Sequence, residues 1–233
     1  MGKRIIQQAR GHGSLTYRVR RRAYRFRICY PALNIEGKAK VVSIFDSPCH
    51  TSPLAKIQTN SGVFYNPACS GMFEGQEIVI GKPAKDGDIG KLKDIPVGKQ
   101  IFNIEAYPGD GGKFVRTSGL SATITKKVED KVGILMPSKR EIFLNENCRA
   151  TLGVTAGAGR KEKPFVKAGA KFYAMKTRNK FWPRTSAVKM NVIDHPFGSG
   201  RGKRIKSKIA KRNVPPGAKV GLLRPRRTGR KKR

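Results

Sequence analysis

Acidic side chains are scarce in this sequence. Of its 233 residues, 15 are Asp or Glu and 50 are Lys or Arg, which gives a formal net charge of +35. Most of these cations therefore have no acidic partner in the chain, and an unneutralised surplus of one charge repels itself. The shortage of acid predicts that the protein binds a polyanion.

Long apolar runs are missing as well. The unbroken apolar stretches are only a few residues long, so we expect no membrane span, no signal segment and no amphipathic membrane-surface helix. An organelle transit peptide is an alternative for the acid-free N-terminus, but Arg20, Arg21 and Arg22 cluster with no apolar face opposite them. Such a peptide would also leave the basic C-terminus unexplained. We therefore predict nucleic acid, and no membrane, as the partner.

Cysteine is sparse and widely spaced. Cys29, Cys49, Cys69 and Cys148 lie too far apart for paired zinc knuckles and are too few to form a disulfide framework in a chain of this length. They are expected to be reduced thiols of a cytosolic protein. Cys49 and His50 form at most half of a metal site, so we expect no metal site.

The surplus charge lies at the two ends of the chain. The net charge is +9 over residues 1–30, +3 over residues 31–159 and +23 over residues 160–233. A nearly neutral middle can fold as an ordinary domain, whereas the C-terminal part, rich in Lys, Arg, Gly and Pro, is expected to order only on its partner. A nuclear localisation signal is a competing interpretation of the polybasic tail at residues 224–233.

The middle of the chain has the pattern of β-structure. Short β-branched or aromatic runs alternate with turn formers, and they predict strands at residues 38–45, 54–59, 63–65, 77–80, 99–106, 121–128, 131–136, 141–144 and 149–154. The pattern breaks near residue 83 and then restarts. We predict two small all-β modules, at 34–83 and 84–159, between a basic N-terminal arm at 1–33 and a basic C-terminal extension at 160–233.

The N-terminal arm interleaves arginines with aromatic rings over residues 17–27. Guanidinium groups bind phosphates and rings stack on unstacked bases, so this pattern favours folded RNA over a uniform duplex. A solvated helix face is the alternative, but no acid at i+3 or i+4 relieves the repulsion. The predicted RNA ligands of the arm are Arg18, Arg20, Arg21, Arg22 and Arg25.

Two glycine-rich segments are further candidates for RNA contact. Residues 108–113 allow backbone to approach a phosphate, with charge from Lys113 and Arg116, although a hairpin turn is the competing interpretation and the P-loop spacing is absent. Residues 194–203 are too rich in Gly and Pro for a helix or strand, and such a loop can thread between RNA strands. The predicted RNA ligands there and just beyond include Arg201, Lys203 and Arg204.

These segments, in this order, resemble large ribosomal subunit protein two, the universal family, in its archaeal and eukaryotic branch. The matching stretches run nearly from end to end: Gly11-His12-Gly13-Ser14, Pro53-Leu54-Ala55-Lys56, Pro108-Gly109-Asp110-Gly111-Gly112-Lys113, Cys148-Arg149-Ala150-Thr151-Leu152-Gly153-Val154, Lys163-Pro164 with Lys167-Ala168-Gly169, Trp182-Pro183-Arg184, and Met190-Asn191 with Asp194-His195-Pro196-Phe197-Gly198. The chain departs from the family where it has Ser186-Ala187 for Arg-Gly, Val192 for Pro and Ser199 for Gly.

The resemblance implies an all-β fold of two small barrels, an OB-fold followed by an SH3-like barrel, with both tails penetrating rRNA. It implies a place near the peptidyl-transferase region and the subunit interface, and a role in subunit association and translation. The RNA-contact residues that it implies are Ser14, Asp110, Gly111, Lys113, Arg116, Ser118, Arg149, Arg184, Asn191, His195 and Gly198.

The resemblance also sets the expected partners and location. These are large-subunit rRNA, neighbouring large-subunit proteins and the small subunit across the interface, in a cytoplasmic ribosome. We expect no DNA, no homo-oligomer and no cofactor, with magnesium only as an rRNA counterion.

Two alternatives from other classes stay open. One is an enzyme in which His195 transfers a proton during peptidyl transfer, and the other is a DNA-binding or chromatin-binding factor, since small barrels serve many partners. Asp194 adjoins His195, but adjacent side chains in extended backbone point to opposite sides, which disfavours an acid–base pair. We therefore expect no enzyme and no catalytic residue.

Overall fold

The structure is a computed structural model that describes residues 2–21, 23–201, 209–210 and 212–223. The chain divides into two compact units. The β unit comprises residues 21–166. The arm unit joins residues 1–20 to residues 167–233. Predictions that concern Arg22, Lys203, Arg204 and the tail at 224–233 lie outside the described residues.

Ten strands form the β unit, and the predicted all-β fold class, an OB-fold followed by an SH3-like barrel, is confirmed. Their bounds are β1 Gly37–Phe45, β2 Leu54–Thr59, β3 Gly62–Pro67, β4 Glu77–Gly81, β5 Ile89–Lys91, β6 Gln100–Phe102, β7 Ala122–Val128, β8 Lys131–Leu135, β9 Glu141–Asn145 and β10 Arg149–Leu152. A 3-10 turn at Leu92–Asp94 follows β5.

One open sheet contains all ten strands, in the order β3-β2-β1-β4-β5-β10-β6-β7-β8-β9. Every neighbouring pair is antiparallel except β4 and β5. Closed barrels were the expected form, but the sheet is not closed, with β3 at one edge and β9 at the other. Instead of two separate closed barrels, one continuous ladder of hydrogen-bonded strands links both halves of the unit.

Two hydrophobic cores lie along this sheet. The first core packs side chains from Tyr30 to Ile89, and the second packs side chains from Leu92 to Leu152. Fully buried examples are Val41, Ile57 and Ile78 in the first core, and Ile101, Ile124 and Ile134 in the second. The domain boundary at residue 83 stays a prediction, since the strands on its two sides belong to the same sheet.

The parallel pair β4 and β5 is joined by an unusually short connection, residues 82–88. Parallel neighbours usually need a crossover of about a dozen residues or more. Here only two residue pairs overlap in the ladder. The buried carboxylate of Asp88 stabilises the connection by accepting hydrogen bonds from the backbone N–H groups of Val79 at 2.8 Å, Ala84 at 3.0 Å and Lys85 at 2.8 Å.

The arm unit has short elements and little buried surface. Its elements are α1 Ile6–Gly11, α2 Ala168–Thr177, a 3-10 turn at Ala187–Lys189, β11 Ile209–Ala210, a 3-10 turn at Pro216–Ala218 and β12 Leu222–Leu223, with β11 and β12 parallel. Among its described residues only Ile5, Gly198 and Ala210 are buried. A unit with so small a core fits the expectation that the extension orders on its partner, which stays a prediction.

The second core gives a direct test of the packing. Ile134 on β8 is fully buried, so Ile134→Ala should lower the free energy of unfolding by about 2–5 kcal/mol through lost burial and a cavity. The matched control is Leu135→Ala, since Leu135 is the next residue of the same strand and is 42% exposed. It should cost about 0.5 kcal/mol or less in the same urea titration. Equal losses for both variants would contradict the assignment of the core.

Candidate nucleic-acid interface

A buried ion pair lies beneath the glycine-rich loop at residues 108–113. The Glu105 carboxylate is fully buried, and its Oε1 accepts hydrogen bonds from Nη2 of Arg149 at 2.9 Å and from Nε at 3.2 Å. The Arg149 backbone N–H donates to Oε2 of the same carboxylate at 2.9 Å. The two charges are therefore paired and hydrogen-bonded, which is what makes their burial tolerable.

The other side of the Arg149 guanidinium faces the end of the N-terminal arm. Nη1 donates to the carbonyl oxygen of Pro31 at 2.8 Å, and the guanidinium carbon lies 5.2 Å from the centre of the Tyr30 ring. The Arg149 side chain is only 6% exposed. Among the residues expected to contact RNA, Arg149 is thus placed inside the protein, where its donors serve Glu105 and the arm.

Glu105 also fixes the glycine-rich loop at residues 108–113. Its carboxylate accepts hydrogen bonds from the N–H groups of Gly111 at 2.9 Å and Gly109 at 3.3 Å. Gly111 has φ +81°, and a Cβ there would lie 2.4 Å from the Cys29 sulfur, so only glycine fits. These N–H groups point at an internal carboxylate, and residues Ile104 and Phe114 pair antiparallel across the loop, in agreement with the turn interpretation.

A neutral hydrogen-bond network continues from the ion pair into the sheet. The Tyr30 hydroxyl donates to the Asn103 carbonyl oxygen at 2.7 Å and lies 2.7 Å from Oγ1 of Thr151. Asn66 donates to the same Thr151 oxygen at 3.0 Å and accepts from the Asn103 amide at 2.7 Å. Burial raises the pKa of Tyr30, so its hydroxyl keeps its proton. The network therefore helps to hold the loop and the end of the arm in position.

A basic cleft opens on the outer side of the loop. It has a volume of about 470 Å³, and its polar lining includes His50, Thr51, Lys113 and Arg116. Nη1 of Arg116 donates to the Gly112 carbonyl oxygen at 3.0 Å. Ser118 lies beside this region, where its N–H donates to the Thr51 hydroxyl at 3.3 Å. The cleft thus presents two cations on a rigid loop, which suits a phosphate.

His50 is a member of this cleft that sequence reasoning does not assign to RNA binding. Burial, with a smaller contribution from the positive charge of Arg116, lowers the pKa of His50. Its Nδ1 lies 2.9 Å from the Ser47 hydroxyl, and the Tyr24 ring packs edge-on against it at 5.2 Å. The lowered pKa favours the neutral form of the imidazole. In the sequence, His50 stands out only because it follows Cys49, and that pair suggests half of a metal site rather than an RNA contact.

One ring of the N-terminal arm packs on the sheet, whereas nearby arginines stay exposed. Phe26 packs against Phe45 at 4.8 Å and Tyr65 at 5.0 Å, so this ring anchors the chain to the sheet. Arg21 and Arg25 are exposed, and the Arg25 guanidinium carbon lies 5.8 Å from the centre of the Phe26 ring. The arm thus keeps its cations available to a polyanion while part of its aromatic content is used inside the protein.

In the arm unit, the loop at residues 190–199 closes on itself. The Asn191 carbonyl oxygen accepts hydrogen bonds from the N–H groups of Asp194 at 3.0 Å and His195 at 3.1 Å, and Gly198 donates to the His195 carbonyl oxygen at 2.8 Å. A Cβ on Gly198 would lie 2.4 Å from the Met190 carbonyl oxygen. Gly198 is therefore required for this closed loop, and Asn191 acts through its backbone.

The His195 ring has a defined tautomer in this loop. Its Nδ1 accepts a hydrogen bond from the Phe197 N–H at 3.1 Å, so the proton of the neutral ring is on Nε2. Burial lowers the pKa of His195. The Asp194 carboxylate forms an ion pair with Lys3, at 3.8 Å, rather than with the imidazole. The arrangement provides a hydrogen-bond donor, without the oriented acid–base pair that a proton-transfer site needs.

Comparison with known proteins identifies the family. Residues 85–216 match the profile described as "Ribosomal Proteins L2, C-terminal domain". Proteins called "Large ribosomal subunit protein uL2" are similar over nearly their whole length. That of Methanospirillum hungatei is 43% identical over 99% of this chain and 100% of its own length, and that of Archaeoglobus fulgidus is 42% identical over 98% and 99%. A third, from Methanosphaerula palustris, is 41% identical over 100% of both chains.

The chain belongs to the uL2 family. This confirms the predicted family, a protein of the large ribosomal subunit, and with it the predicted location in the cytoplasmic ribosome.

The remaining predicted site residues of the chain divide between the two units. Exposed residues of the arm unit are Ser14, Arg18, Arg20, Arg184, Asn191 and Arg201. Asp110 lies in the β unit, where its carboxylate is 3.4 Å from the Lys113 ammonium. In the part of the chain that the structure describes, no cluster of His, Cys, Asp and Glu could bind a metal, and no helix has the length and apolarity to cross a membrane.

The buried pair predicts a large and specific loss of stability. Glu105→Gln removes the negative charge while keeping the shape, and leaves the Arg149 cation buried without a counter-charge. We expect about 3–5 kcal/mol less unfolding free energy in urea titrations.

The control is Glu141→Gln, because Glu141 forms an ion pair of 3.6 Å with Lys126 at the surface. That surface pair should contribute much less than the buried pair, and glutamine can still accept the hydrogen bond from the Thr125 hydroxyl. If Glu105→Gln were as stable as this control, the carboxylate would not be what fixes the loop.

Proposed function

We propose that this protein binds large-subunit rRNA near the peptidyl-transferase region and supports subunit association and translation as a structural component. The observation that carries the proposal is the unpaired positive charge of the arm unit. Among the described residues, six salt bridges lie in the β unit and one, between Lys3 and Asp194, lies in the arm unit. Cations without internal partners are the groups that a phosphate backbone neutralises.

The two units contribute differently to this proposal. Most of the β unit, residues 31–159, has a net charge of only +3 and is well packed, so it supplies a scaffold that carries the basic cleft with Lys113 and Arg116. The arm unit supplies positive charge. Because its core is small, this unit can adapt to the shape of the rRNA. Arg149 and Gly111 support binding indirectly in this scheme, since they fix the loop from inside. Ser118 positions a second cation, because its hydroxyl accepts a hydrogen bond from Arg160 at 3.1 Å.

The other expected partners follow from the same scheme. Neighbouring large-subunit proteins and the small subunit are proposed as contacts of the assembled particle. Magnesium is proposed only as a counterion of the rRNA. A DNA-binding or chromatin-binding role is the competing function, and competition between rRNA fragments and duplex DNA of equal length separates the two, because a DNA binder prefers the duplex.

The charge distribution predicts a steep salt dependence. The logarithm of the affinity for a large-subunit rRNA fragment should fall linearly with the logarithm of salt concentration, with a slope of about 0.7–0.9 per phosphate contact. Deleting residues 160–233, which carry a net charge of +23, should flatten this slope.

The measurement is a filter-binding series for the full chain and the deletion variant over a range of salt concentrations. Deleting residues 1–20 removes fewer cations and should flatten the slope less. A slope that stays the same without residues 160–233 would show that the extension does not neutralise phosphates.

His195 is predicted to act through position rather than proton transfer. Its Nε2–H is a hydrogen-bond donor, and glutamine keeps a donor where alanine does not. Fully assembled subunits with His195→Gln should therefore form peptide bonds at a near-normal single-turnover rate with an unchanged pH profile, while His195→Ala should mainly reduce assembly.

The matched measurement uses only subunits that have assembled completely. Removing a general base usually costs about a hundredfold or more in the chemical step. A loss of that size in intact His195→Gln subunits, together with loss of a titration step, would assign His195 to catalysis.

A further inference from the structure

The arm unit contains a cleft of about 580 Å³ whose lining is rich in aromatic rings as well as cations. Four aromatic rings line it: Tyr17, Phe172, Phe181 and Trp182. Three cations, Arg20, Lys176 and Lys180, share the lining. We call this site the aromatic cleft.

Helix α2 and the segment that follows it build the cleft. Phe172 and Lys176 are one helical turn apart on α2, and the Lys176 ammonium lies 5.7 Å from the centre of the Phe172 ring. The Lys171 ammonium lies 5.4 Å from the Trp182 ring. Each of these rings therefore has a cation beside it, and a flat group placed on the ring would lie next to a positive charge.

The N-terminal arm closes the other side. The side-chain amide of Asn179 donates a hydrogen bond to the Arg18 carbonyl oxygen, which fixes the chain next to Tyr17 and Arg20. Two segments that are distant in sequence thus form one cleft. The cleft is open enough for a ligand to enter, because Phe172 is 40% exposed.

The charge of the cleft restricts its occupant. Its lining residues include three cations and, among the residues described, no acid. The acids of residues 160–233 are Glu162 and Asp194, and Asp194 is paired with Lys3. An occupant that matches this chemistry has a flat, π-rich part for the rings and a negative charge for the cations. A nucleotide of single-stranded RNA has both.

We propose that the aromatic cleft binds one unstacked nucleotide of the rRNA, with its base against the rings and its phosphate at Lys176 and Lys180. The inference rests on the proposed function and deepens it, since it specifies an unpaired nucleotide. Stacking on aromatic side chains tolerates any base, and unstacked loop and bulge nucleotides are what proteins select in folded RNA. A duplex would not serve, because its bases are already stacked on one another.

The rings of the run at residues 17–27 lie in different surroundings. Phe26 is packed against Phe45 and Tyr65 in the β unit. Tyr24 is 57% exposed, and within the described residues it has a single edge-on ring contact, with His50, and no second ring beside it to form a cleft. Tyr17 is the ring of that run which lines the aromatic cleft.

A built-in reporter allows the test, because Trp182 is the chain's single tryptophan. The full chain is titrated with a single-stranded adenosine hexanucleotide and, separately, with a hexanucleotide of the same backbone that lacks its bases. Stacking of adenine should quench Trp182 fluorescence, whereas the abasic strand, with equal charge, should leave it nearly unchanged. Equal quenching by both strands would overturn the inference, since charge alone would then explain it.

Substitutions at Phe172 give a second, independent readout. Phe172→Leu should weaken binding of the adenosine strand about fivefold or more and leave the salt slope unchanged, because a ring and not a charge is lost. Phe172→Tyr should retain near-normal binding. The matched control is Phe143→Leu, since Phe143 in the β unit is 48% exposed and has the Lys126 ammonium 5.1 Å from its ring.

The outcomes separate this inference from the proposed function. If the full chain does not bind large-subunit rRNA, the proposed function fails and the inference fails with it. If rRNA binding and its salt slope are intact but Trp182 does not respond and Phe172→Leu binds like Phe143→Leu, only the inference fails. Quenching by an acidic peptide but not by the adenosine strand would assign the cleft to a protein partner and also overturn the inference.

Discussion

The buried carboxylate of Glu105 is the constraint on which the β unit depends. It accepts hydrogen bonds from the glycine-rich loop and from the Arg149 backbone and guanidinium, while the same guanidinium binds the carbonyl oxygen of Pro31. Loop, strand β10 and arm are therefore positioned by one charge pair. Because burying an unpaired charge costs several kcal/mol, about 3–5 for a broken pair, these three parts stay in place together.

Acidic and basic side chains have different roles in the two units. Acids in the β unit are used internally, as Glu105 and Asp88 show, and they leave Lys113 and Arg116 at the surface of a rigid loop. The arm unit has few acids, and of the cations that the structure describes there only Lys3 forms an ion pair. A nearly neutral scaffold over residues 31–159 and a cationic extension can thus share one chain: the first folds through its cores, and the proposed rRNA would stabilise the second by removing its self-repulsion.

Local patterns in the sequence predict most of the β unit and part of the site. The run at residues 54–59 coincides with β2, because β-branched and apolar alternation is a property of neighbours. Helix α2 is not predictable in this way, since its residues show no apolar periodicity and none is buried. The burial of Arg149 is equally hidden, because its partner Glu105 lies 44 residues away. Charge predicts which segments bind RNA, whereas only the fold separates binding residues from supporting ones.

The contact between Arg149 and Pro31 also has a consequence for the order in which the chain folds. The two residues are 118 positions apart, whereas the first core draws on residues 30–89 and the second mostly on residues 92–152. Chains fold from the N-terminus as they are synthesised, so the first core can form long before Arg149 emerges. Until that moment the Pro31 carbonyl oxygen has no guanidinium to bind, and the arm is attached only through earlier contacts such as those of Phe26 with Phe45 and Tyr65. The hydrogen bond from Arg149 therefore forms together with the second core, so a chain that stalls before residue 149 lacks this second attachment of its arm.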